Sequence, residues 1–247
     1  MVISPNVDSV KELLGEKLVL VVVPARGGSK GIKLKNLREL NGTSLVALVG
    51  NVVSQLDYIA RAIVSTDHVG IASAARESGL SVPFMRPEYL SGDMVSGVNV
   101  MVHALTEIER IDKKRYDIIV QLEPTSPFRT PEQVTATVEK LIRGGFDSVV
   151  TVSETDSKAH PLKQLILEED RVSYYDPKGE NIVARQQLDP TFHKNGAAYA
   201  ITRECLLNQR AVIGENPSAV VIRETMVNID TELDLEFAQF MINKHQK

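Results

Sequence analysis

The sequence LVLVVVPARGGSKGIKLKN occupies residues 18–36 and joins an apolar, β-branched run to a glycine-rich basic loop. A short continuous apolar run of this kind is typical of a strand that is covered on both faces of a sheet. In open α/β sheets, ligands bind just beyond the carboxyl ends of the strands, and the loop lies at that position. The stretch therefore predicts an α/β fold with a binding site directly after its first strand.

Outward from this stretch, apolar runs alternate with helical patterns along the chain. Buried or extended segments are predicted near residues 62–65, 82–85, 117–122, 147–152, 196–201 and 219–222. Helix starts are indicated by Thr43 or Ser44, by Asp67 and by Pro131, because such residues favour the N-cap or the first helical position. The alternation predicts a mostly parallel, Rossmann-like sheet with helices on both faces and a final helix over residues 231–243.

Residues 154–192 interrupt this alternation. The segments 163–167 and 171–175 flank an acidic turn at residues 168–170, and this pattern predicts a β-hairpin. We therefore expect three parts in the chain: an amino-terminal extension over residues 1–17 that forms a weakly amphipathic surface helix, a main α/β domain over residues 18–153 and 193–247, and a small β excursion over residues 154–192.

The composition excludes several classes of protein. The chain has 247 residues, of which 43% are hydrophobic and 24% charged, as is usual for a globular protein. No apolar run approaches the roughly 20 residues of a membrane-spanning helix, and the first residues lack the pattern of a secretory signal. The net charge of −4 argues against general nucleic-acid binding. A single cysteine, Cys205, cannot form an internal disulfide, so a reducing cytoplasm is the expected location.

Residues 24–38 form a positive island, because they contain five basic residues and no acidic one. Glycines in this loop allow the backbone to approach a ligand closely, and successive N–H groups can bind an anion. The spacing matches neither the Walker A motif nor the dinucleotide G-x-G-x-x-G motif. A phosphate site and an ordinary solvated basic loop are both compatible with these residues, and the position after the first strand favours the phosphate site.

The loop ARGGSKGIKLKN at residues 25–36 resembles the signature of the CMP-sialic acid synthetases, or acylneuraminate cytidylyltransferases, which join CTP to an α-keto acid sugar. The family's L-Q-P-T-S-P-L-R motif is matched by LEPTSPFR at residues 122–129. Other matching segments follow in order: STD at 65–67, RP at 86–87, HPLK at 160–163, RQQ at 185–187, NGAAY at 195–199 and NIDTELD at 228–234. The RP pair, with the segment through Asp93 and Gly97, resembles the part of the family that meets cytidine. The resemblance covers residues 18 to about 244. It implies a nucleotidyltransferase sheet and a homodimer with its contact in residues 154–192.

The resemblance also implies which residues bind CTP. In the reaction of this family, the sugar's anomeric hydroxyl attacks the α-phosphate and pyrophosphate leaves, so catalysis is mainly positioning and charge neutralisation. The catalytic residues implied are Arg26, Lys30, Lys35 and Asp230. The nucleotide-binding residues implied are Ala25, Arg26, Gly27, Gly28, Ser29, Lys30, Asn36, Arg86 and Ser96.

A metal site is expected near Asp230, because the resemblance implies Mg²⁺ held by a D-I-D motif. This chain has Asn228-Ile229-Asp230 instead. Alternate residues of an extended segment face the same way, so Asn228 and Asp230 are both expected at the ion, although an amide is a weaker ligand than a carboxylate. From the residues alone, the N-cap of the final helix is the favoured explanation of Asp230, and the resemblance reverses that preference.

The sugar acid is an anion, and the resemblance implies a pocket for it. The residues implied are Glu123, Thr125, Ser126, Lys163, Arg185, Gln187, Asn195 and Tyr199. Two further departures from the family pattern bear on the substrate, since Glu123 replaces Gln and His193 replaces a frequent Arg. An ionised glutamate only accepts hydrogen bonds. These departures favour a legionaminate- or pseudaminate-type nonulosonate over N-acetylneuraminate.

The sequence therefore predicts a CTP- and Mg²⁺-dependent cytidylyltransferase for a nine-carbon sugar acid. Two alternatives stay open. One is a cytidylyltransferase for an eight-carbon, Kdo-type ulosonate. The other is a degenerate nucleotide-sugar binding protein without turnover, which the departures at Asn228 and Glu123 would explain.

Overall fold

A six-stranded sheet in the order β10-β6-β9-β5-β1-β4 forms the centre of the computed structural model, which describes residues 7–245. All neighbouring pairs are parallel except those that involve β9, which runs antiparallel to both β5 and β6. The mostly parallel α/β fold predicted from the sequence is thus confirmed. The strands are β1 (Val19–Pro24), β2 (Glu39–Leu40), β3 (Thr43–Ser44), β4 (Ile59–Ser65), β5 (Ile118–Gln121), β6 (Ser148–Glu154), β7 (Leu165–Glu168), β8 (Arg171–Tyr174), β9 (Phe192–Thr202) and β10 (Pro217–Val221).

Helices cover both faces of the sheet: α1 (Val7–Leu14), α2 (Leu45–Val53), α3 (Val69–Glu77), α4 (Gly97–Asp112), α5 (Pro131–Gly144) and α6 (Glu232–His245). Strand β1 shows why the layers form. Its odd-numbered valines pack into the core beneath α2, α3 and α5, whereas Leu20 and Val22 pack into the opposite core beneath α4. Because side chains alternate along a strand, a continuous apolar run buries both faces.

Helix starts agree with the sequence at two places and differ at a third. Ser44 caps α2, and Pro131 is the first residue of α5, where Thr130 forms a capping box with Gln133. At α3 the predicted cap Asp67 is wrong, because the Nδ1 atom of His68 accepts the N–H of Gly70 at 3.2 Å and makes His68 the N-cap. The Asp67 side chain is thereby free to serve another segment.

The predicted extended segment at 82–85 does not form a strand. The neighbouring residue Ser81 makes an isolated bridge to Ile63, and the chain then leaves the sheet. Pro83 lacks an N–H group and cannot extend a ladder of hydrogen bonds, which explains the early end.

Residues 155–191 lie outside the central sheet and contain the predicted hairpin, formed by β7 and β8. The first strand of this hairpin begins at Leu165, two residues later than the pattern suggested. Near the amino terminus, Val10 and Leu14 of α1 are buried in the core beneath α5. Residues 1–6 of the expected extension lie outside the described residues, and the three-part domain division remains a prediction. Within residues 7–245, no helix combines the length and apolar character needed to cross a membrane.

Candidate active site

A cavity of about 510 Å³ opens at the carboxyl ends of β1 and β5. Parallel neighbours end at the same edge of a sheet, so segments distant in sequence meet there. The cavity is lined by the loop after β1, by the segment before α4, by residues that end or follow β5 and by Asp230. Of the residues predicted from the sequence, it contacts Arg26, Ser29, Lys30, Lys35, Asn36, Arg86, Glu123, Thr125 and Asp230.

The loop after β1 is shaped by one buried amide. Asn36 is buried, and its Nδ2 atom donates to the carbonyl of Arg26 at 2.9 Å. This bond folds the loop back so that Arg26, Lys30 and Lys35 all face the cavity. Asn36 thus shapes the backbone at Arg26 and also lines the cavity, and its contact with a nucleotide stays a prediction.

Gly31 and Gly27 of this loop each make a close contact with another segment. A Cβ atom on Gly31 would collide with the carbonyl oxygen of Asp230, so only glycine permits this approach. The N–H of Gly27 donates to Oδ1 of Asp67 at 2.8 Å. Because that donor already has a protein partner, the anion-binding backbone expected at Gly27 is not free. Gly28 is exposed and Ala25 is buried, and neither lines the cavity.

Asp230 faces the basic loop. Its Oδ1 atom lies 2.7 Å from Nζ of Lys35, and 66% of its side chain is exposed. Ile229 is buried and donates its N–H to the carbonyl of Thr125 at 2.8 Å, which places Asp230 at the cavity. Asn228 is exposed but does not line the cavity. The N-cap interpretation of Asp230 is wrong, because Thr231 accepts the N–H of Asp234 in that role.

The residues near Asp230 fit Mg²⁺ only if the substrate supplies the other ligands. Among residues 7–245, no group of three or more His, Cys, Asp or Glu side chains is arranged to hold a metal ion. Magnesium is commonly bound by one or two carboxylates together with substrate phosphates and water. An exposed carboxylate opposite a basic loop matches that chemistry, so a magnesium site here would be completed by the substrate.

Glu123 and Gln121 form a pair that the sequence analysis did not recognise. The Nε2 atom of Gln121 donates to Oε1 of Glu123 at 3.0 Å. Gln121 is only 8% exposed, and its Oε1 atom is buried without a hydrogen-bond partner in the described part of the chain. Burial raises the pKa of Glu123, although the charge of Arg129 opposes this effect. Gln121 gave no signal in the sequence because it ends an otherwise apolar strand.

Two buried arginines add positive charge at the cavity: Arg86 in its lining and Arg129 outside that lining. Arg86 donates from Nε to Oγ of Ser65 at 3.1 Å, and Arg129 donates from Nε to the carbonyl of Ala197 at 2.8 Å. Burial lowers the pKa of each guanidinium to about 10. Both groups therefore remain charged at neutral pH. Arg86 is one of the residues predicted to bind nucleotide. Arg129 ends the LEPTSPFR motif, and the sequence predicts no separate role for it.

Three residues predicted for the sugar pocket make internal contacts instead of lining the cavity. Ser126 donates from Oγ to the carbonyl of Asn195 at 2.6 Å, and Asn195 is buried with its Oδ1 accepting from Thr151 at 2.7 Å. Tyr199 is buried on β9, and burial raises the pKa of its phenol. In the protomer these side chains support the wall behind Glu123.

The remaining predicted residues lie elsewhere. Arg185 lines a second cavity of about 440 Å³ within the excursion, together with His160. Gln187 accepts the N–H groups of Val183 and Ala184, and neither it nor Lys163 lines the first cavity. Ser96 is the N-cap residue of α4, between two residues that line the cavity. The structure of one chain thus does not bring the three excursion residues to the basic loop.

A Rossmann-like sheet with a basic loop after its first strand and a carboxylate facing that loop defines an α/β nucleotide-binding protein. The family model described as cytidylyltransferase matches residues 20–232. The chain belongs to this cytidylyltransferase family.

Relatives of known name are similar over most of the chain. Post-translational flagellin modification protein B of Campylobacter coli is 28% identical over 92% of this chain and 95% of its own length. CMP-N,N'-diacetyllegionaminic acid synthase of Campylobacter jejuni is 27% identical over 91% of this chain and 95% of its own length. N-acylneuraminate cytidylyltransferase of Escherichia coli is 26% identical over 89% of this chain and 51% of its own length.

A solved structure shares the fold. The chain matches CMP:2-keto-3-deoxy-manno-octonic acid synthetase, whose structure contains CTP, with a TM-score of 0.68 and 18% identity. The match covers 93% of this chain and 100% of the other. At this identity the likeness establishes the common fold.

Proposed function

We propose that the protein is a CTP-dependent cytidylyltransferase that activates a nine-carbon α-keto acid sugar and releases pyrophosphate. The observation that carries this proposal is the cavity in which Arg26 and Lys30 face the carboxylate of Asp230. Cations on one side suit a triphosphate, and the opposing acid suits the ion that accompanies it. The named relatives, which include synthases of CMP-activated sugar acids, support the same reaction class.

In the proposed reaction, the anomeric hydroxyl releases its proton to water and its oxygen forms a bond to the α-phosphorus, while the bond from that phosphorus to the bridging oxygen breaks. Pyrophosphate leaves with the electron pair of the broken bond. Arg26 and Lys30 hold the β- and γ-phosphates by charge-assisted hydrogen bonds, and Lys35 adds a third cation. Arg86, Ser96, Gly28 and Ser29 complete the proposed nucleotide site.

Magnesium is part of this proposal. Asp230 would hold the ion, and Asn228 would reach it only after a change of its side-chain direction, because it does not line the cavity. When bound, Mg²⁺ would neutralise phosphate charge and fix the orientation of the triphosphate. The Lys35 ammonium, 2.7 Å from Asp230, holds the carboxylate in place until then.

The sugar acid would enter beside Glu123 and Thr125. Lys163, Arg185 and Gln187 belong to the excursion and line no part of the first cavity. We therefore propose a homodimer in which the excursion of a second copy supplies these groups to the sugar. A cytoplasmic location is included in the proposal, because the lone Cys205 is buried as a free thiol.

The choice of acid in this proposal rests on Glu123. Its carboxylate lines the cavity and accepts from Gln121, and an ionised carboxylate can only accept hydrogen bonds, so it favours a substrate that presents N–H or O–H donors. Diacetamido nonulosonates offer such donors. The synthase of a diacetylated legionaminic acid among the relatives supports this choice.

Pyrophosphate release tests the proposal. The purified protein would be assayed with CTP, Mg²⁺ and four acids: diacetyllegionaminate, pseudaminate, N-acetylneuraminate and Kdo. We expect the highest kcat/KM with a diacetamido nonulosonate. We expect no pyrophosphate release when UTP replaces CTP. A clear preference for N-acetylneuraminate would contradict the role of Glu123, and a preference for Kdo would establish the eight-carbon alternative. Binding of CTP without turnover of any acid would identify a degenerate binding protein.

A further inference from the structure

Asp93 bridges the two cations at the mouth of the cavity. Its Oδ1 atom lies 2.8 Å from Nη2 of Arg26, and its Oδ2 atom lies 2.8 Å from Nζ of Lys30. Each carboxylate oxygen therefore holds one cation, as two oxygens of a phosphate group would. Asp93 lines the same cavity as both bases. The family resemblance places it only within the segment that meets cytidine and gives it no role of its own.

The two cations that the proposed function assigns to phosphate are thus already paired inside the protein. A phosphate placed between them would bring its negative charge beside that of Asp93, and like charges at such distances repel. Hydrogen bonding and charge from Lys30 and Arg26 hold the pKa of Asp93 below its usual value, so this residue is ionised at neutral pH. A polyphosphate that binds both Arg26 and Lys30 must therefore displace the carboxylate.

The backbone around Asp93 is suited to such a displacement. Asp93 lies in segment 91–96, between a short 3₁₀ turn at Glu88–Leu90 and the start of α4. Gly92 precedes it, and the following residue, Met94, is 97% exposed. The ion pairs of Asp93 thus tie the middle of an exposed segment to the basic loop, which lies far earlier in the sequence.

We propose that Asp93 is a built-in competitor of the polyphosphate ligand, which holds Arg26 and Lys30 in the empty site and releases segment 91–96 when phosphates bind. The inference rests on the proposed function for the identity of the ligand as CTP. Its physical content requires only that a polyphosphate binds the basic loop.

The substitution Asp93→Asn removes the competing charge and nearly preserves the shape of the side chain. Partly exposed ion pairs each contribute little, so we expect the variant to bind pyrophosphate about three- to tenfold more tightly than the wild type. The measurement is isothermal titration calorimetry with sodium pyrophosphate in buffer that contains EDTA, which separates the effect from any metal. If Asp93 only supported the fold of the loop, the same variant would bind pyrophosphate more weakly.

Glu88→Gln provides a matched control. Glu88 is an exposed acid of the adjacent 3₁₀ turn, and its substitution removes the same formal charge without touching Arg26 or Lys30. We expect its pyrophosphate affinity to stay within about twofold of the wild-type value, because exposed charges at a distance are largely screened. Asp93→Ser is the second variant at the site, for use if Asp93→Asn fails to fold by circular dichroism.

The movement of the segment can be followed directly, because the chain contains no tryptophan. Met94→Trp places one fluorophore at an exposed position beside Asp93. We expect pyrophosphate and CTP to change its emission, and CMP, which lacks the β- and γ-phosphates, to change it much less. In the double variant with Asp93→Asn, the segment is already released and the change caused by pyrophosphate should be small.

The inference is overturned if Asp93→Asn binds pyrophosphate equally or more weakly, if neither protein binds it, or if binding heat occurs without a change in the emission of the tryptophan. These titrations need no sugar acid. A failure of every acid in the turnover assay would therefore remove the proposed function while leaving tighter pyrophosphate binding by Asp93→Asn as support for the competitor.

Discussion

Two acids near the start of α6 pair with two bases of the loop after β1, yet only one of them lies at the cavity. Asp230 pairs with Lys35 at 2.7 Å and lines the cavity. Glu232 pairs with Arg38 through two bonds of 2.6 and 2.9 Å outside it. The two positions form a natural matched pair, because both link the same segments and differ in access to the substrate.

We predict that Asp230→Ala lowers kcat for pyrophosphate release by at least about a hundredfold, the usual size of the loss when one group that stabilises developing charge is removed. The fold should persist, since Asp230 is exposed and contributes little to the core. Glu232→Ala is the control and should retain most of the activity. Near-normal turnover by Asp230→Ala would remove the proposed metal site from this residue.

Glu123 predicts a dependence of stability on pH. Burial raises the pKa of this carboxyl above its usual value of 4.5, so its ionisation opposes folding. The stability of the wild type is therefore reduced as the pH rises from about the usual pKa through the raised one. Glu123→Gln removes this effect and should be more stable than the wild type near pH 7.5 by roughly 1 kcal/mol, a common size for a single substitution.

Urea unfolding at several pH values measures the difference. The advantage of Glu123→Gln should shrink as the pH falls and vanish below the usual glutamate pKa, where both states of the wild type are protonated. A difference between the two proteins that does not change between pH 4 and pH 7.5 would contradict the role of burial. Arg129 remains in place in both proteins, so its charge is a constant background.

At the scale of single elements, the hairpin formed by β7 and β8 has an unpartnered apolar face in the protomer. Leu165 lies opposite Tyr174 and Leu167 opposite Val172, so the four side chains share one face. Their exposed fractions range from 38% for Tyr174 to 69% for Leu167. Contiguous exposed apolar surface of this kind usually marks an interaction site, and it supports the proposed homodimer.

We predict that Leu167→Lys weakens dimerisation, because it places a charge in the centre of this face. Ser173→Lys is the control, since Ser173 lies on the opposite face of the same hairpin. Light scattering at micromolar concentration should give a dimer for the wild type and for Ser173→Lys, and a monomer for Leu167→Lys. A monomeric wild type would contradict the proposed assembly.

For the whole molecule, the site joins segments that are far apart along the chain. Four parts of the chain meet at the carboxyl ends of the central strands, because β1 lies between β4 and β5. They are residues 26–36, 86–97, 121–125 and Asp230. A ligand that bridges these segments binds the folded chain and not the unfolded one, so it must stabilise the entire fold.

We predict that CTP with Mg²⁺ raises the melting temperature. At a concentration of 100 times Kd the gain is about 2.7 kcal/mol, which corresponds to an increase of roughly 5–10 °C for a chain of this size. Differential scanning fluorimetry with CTP and, for comparison, with CMP measures it. Equal shifts with both ligands would show that the β- and γ-phosphates contribute nothing, contrary to the proposed role of Arg26 and Lys30.

The sequence by itself determined the alternation of strands and helices, the place of the basic loop and the family resemblance. Each of these depends on local patterns: a β-branched apolar run is buried in the sheet, and a basic, glycine-rich loop after it lies at the surface, where its charges are solvated. The strand run of β1, the helix starts at Ser44 and Pro131, and the hairpin were predictable for this reason.

Only the tertiary structure decided which side chains meet. It paired Asp93 with Arg26 and Lys30. It placed the carboxylate of Asp67 on the N–H of Gly27, while His68 became the N-cap of α3. It also joined Gln121 to Glu123 by a hydrogen bond. It also separated the excursion residues Lys163, Arg185 and Gln187 from the cavity of the same chain. Ion pairs and buried hydrogen bonds between distant residues depend on how the layers pack, and no local pattern along the chain encodes that packing.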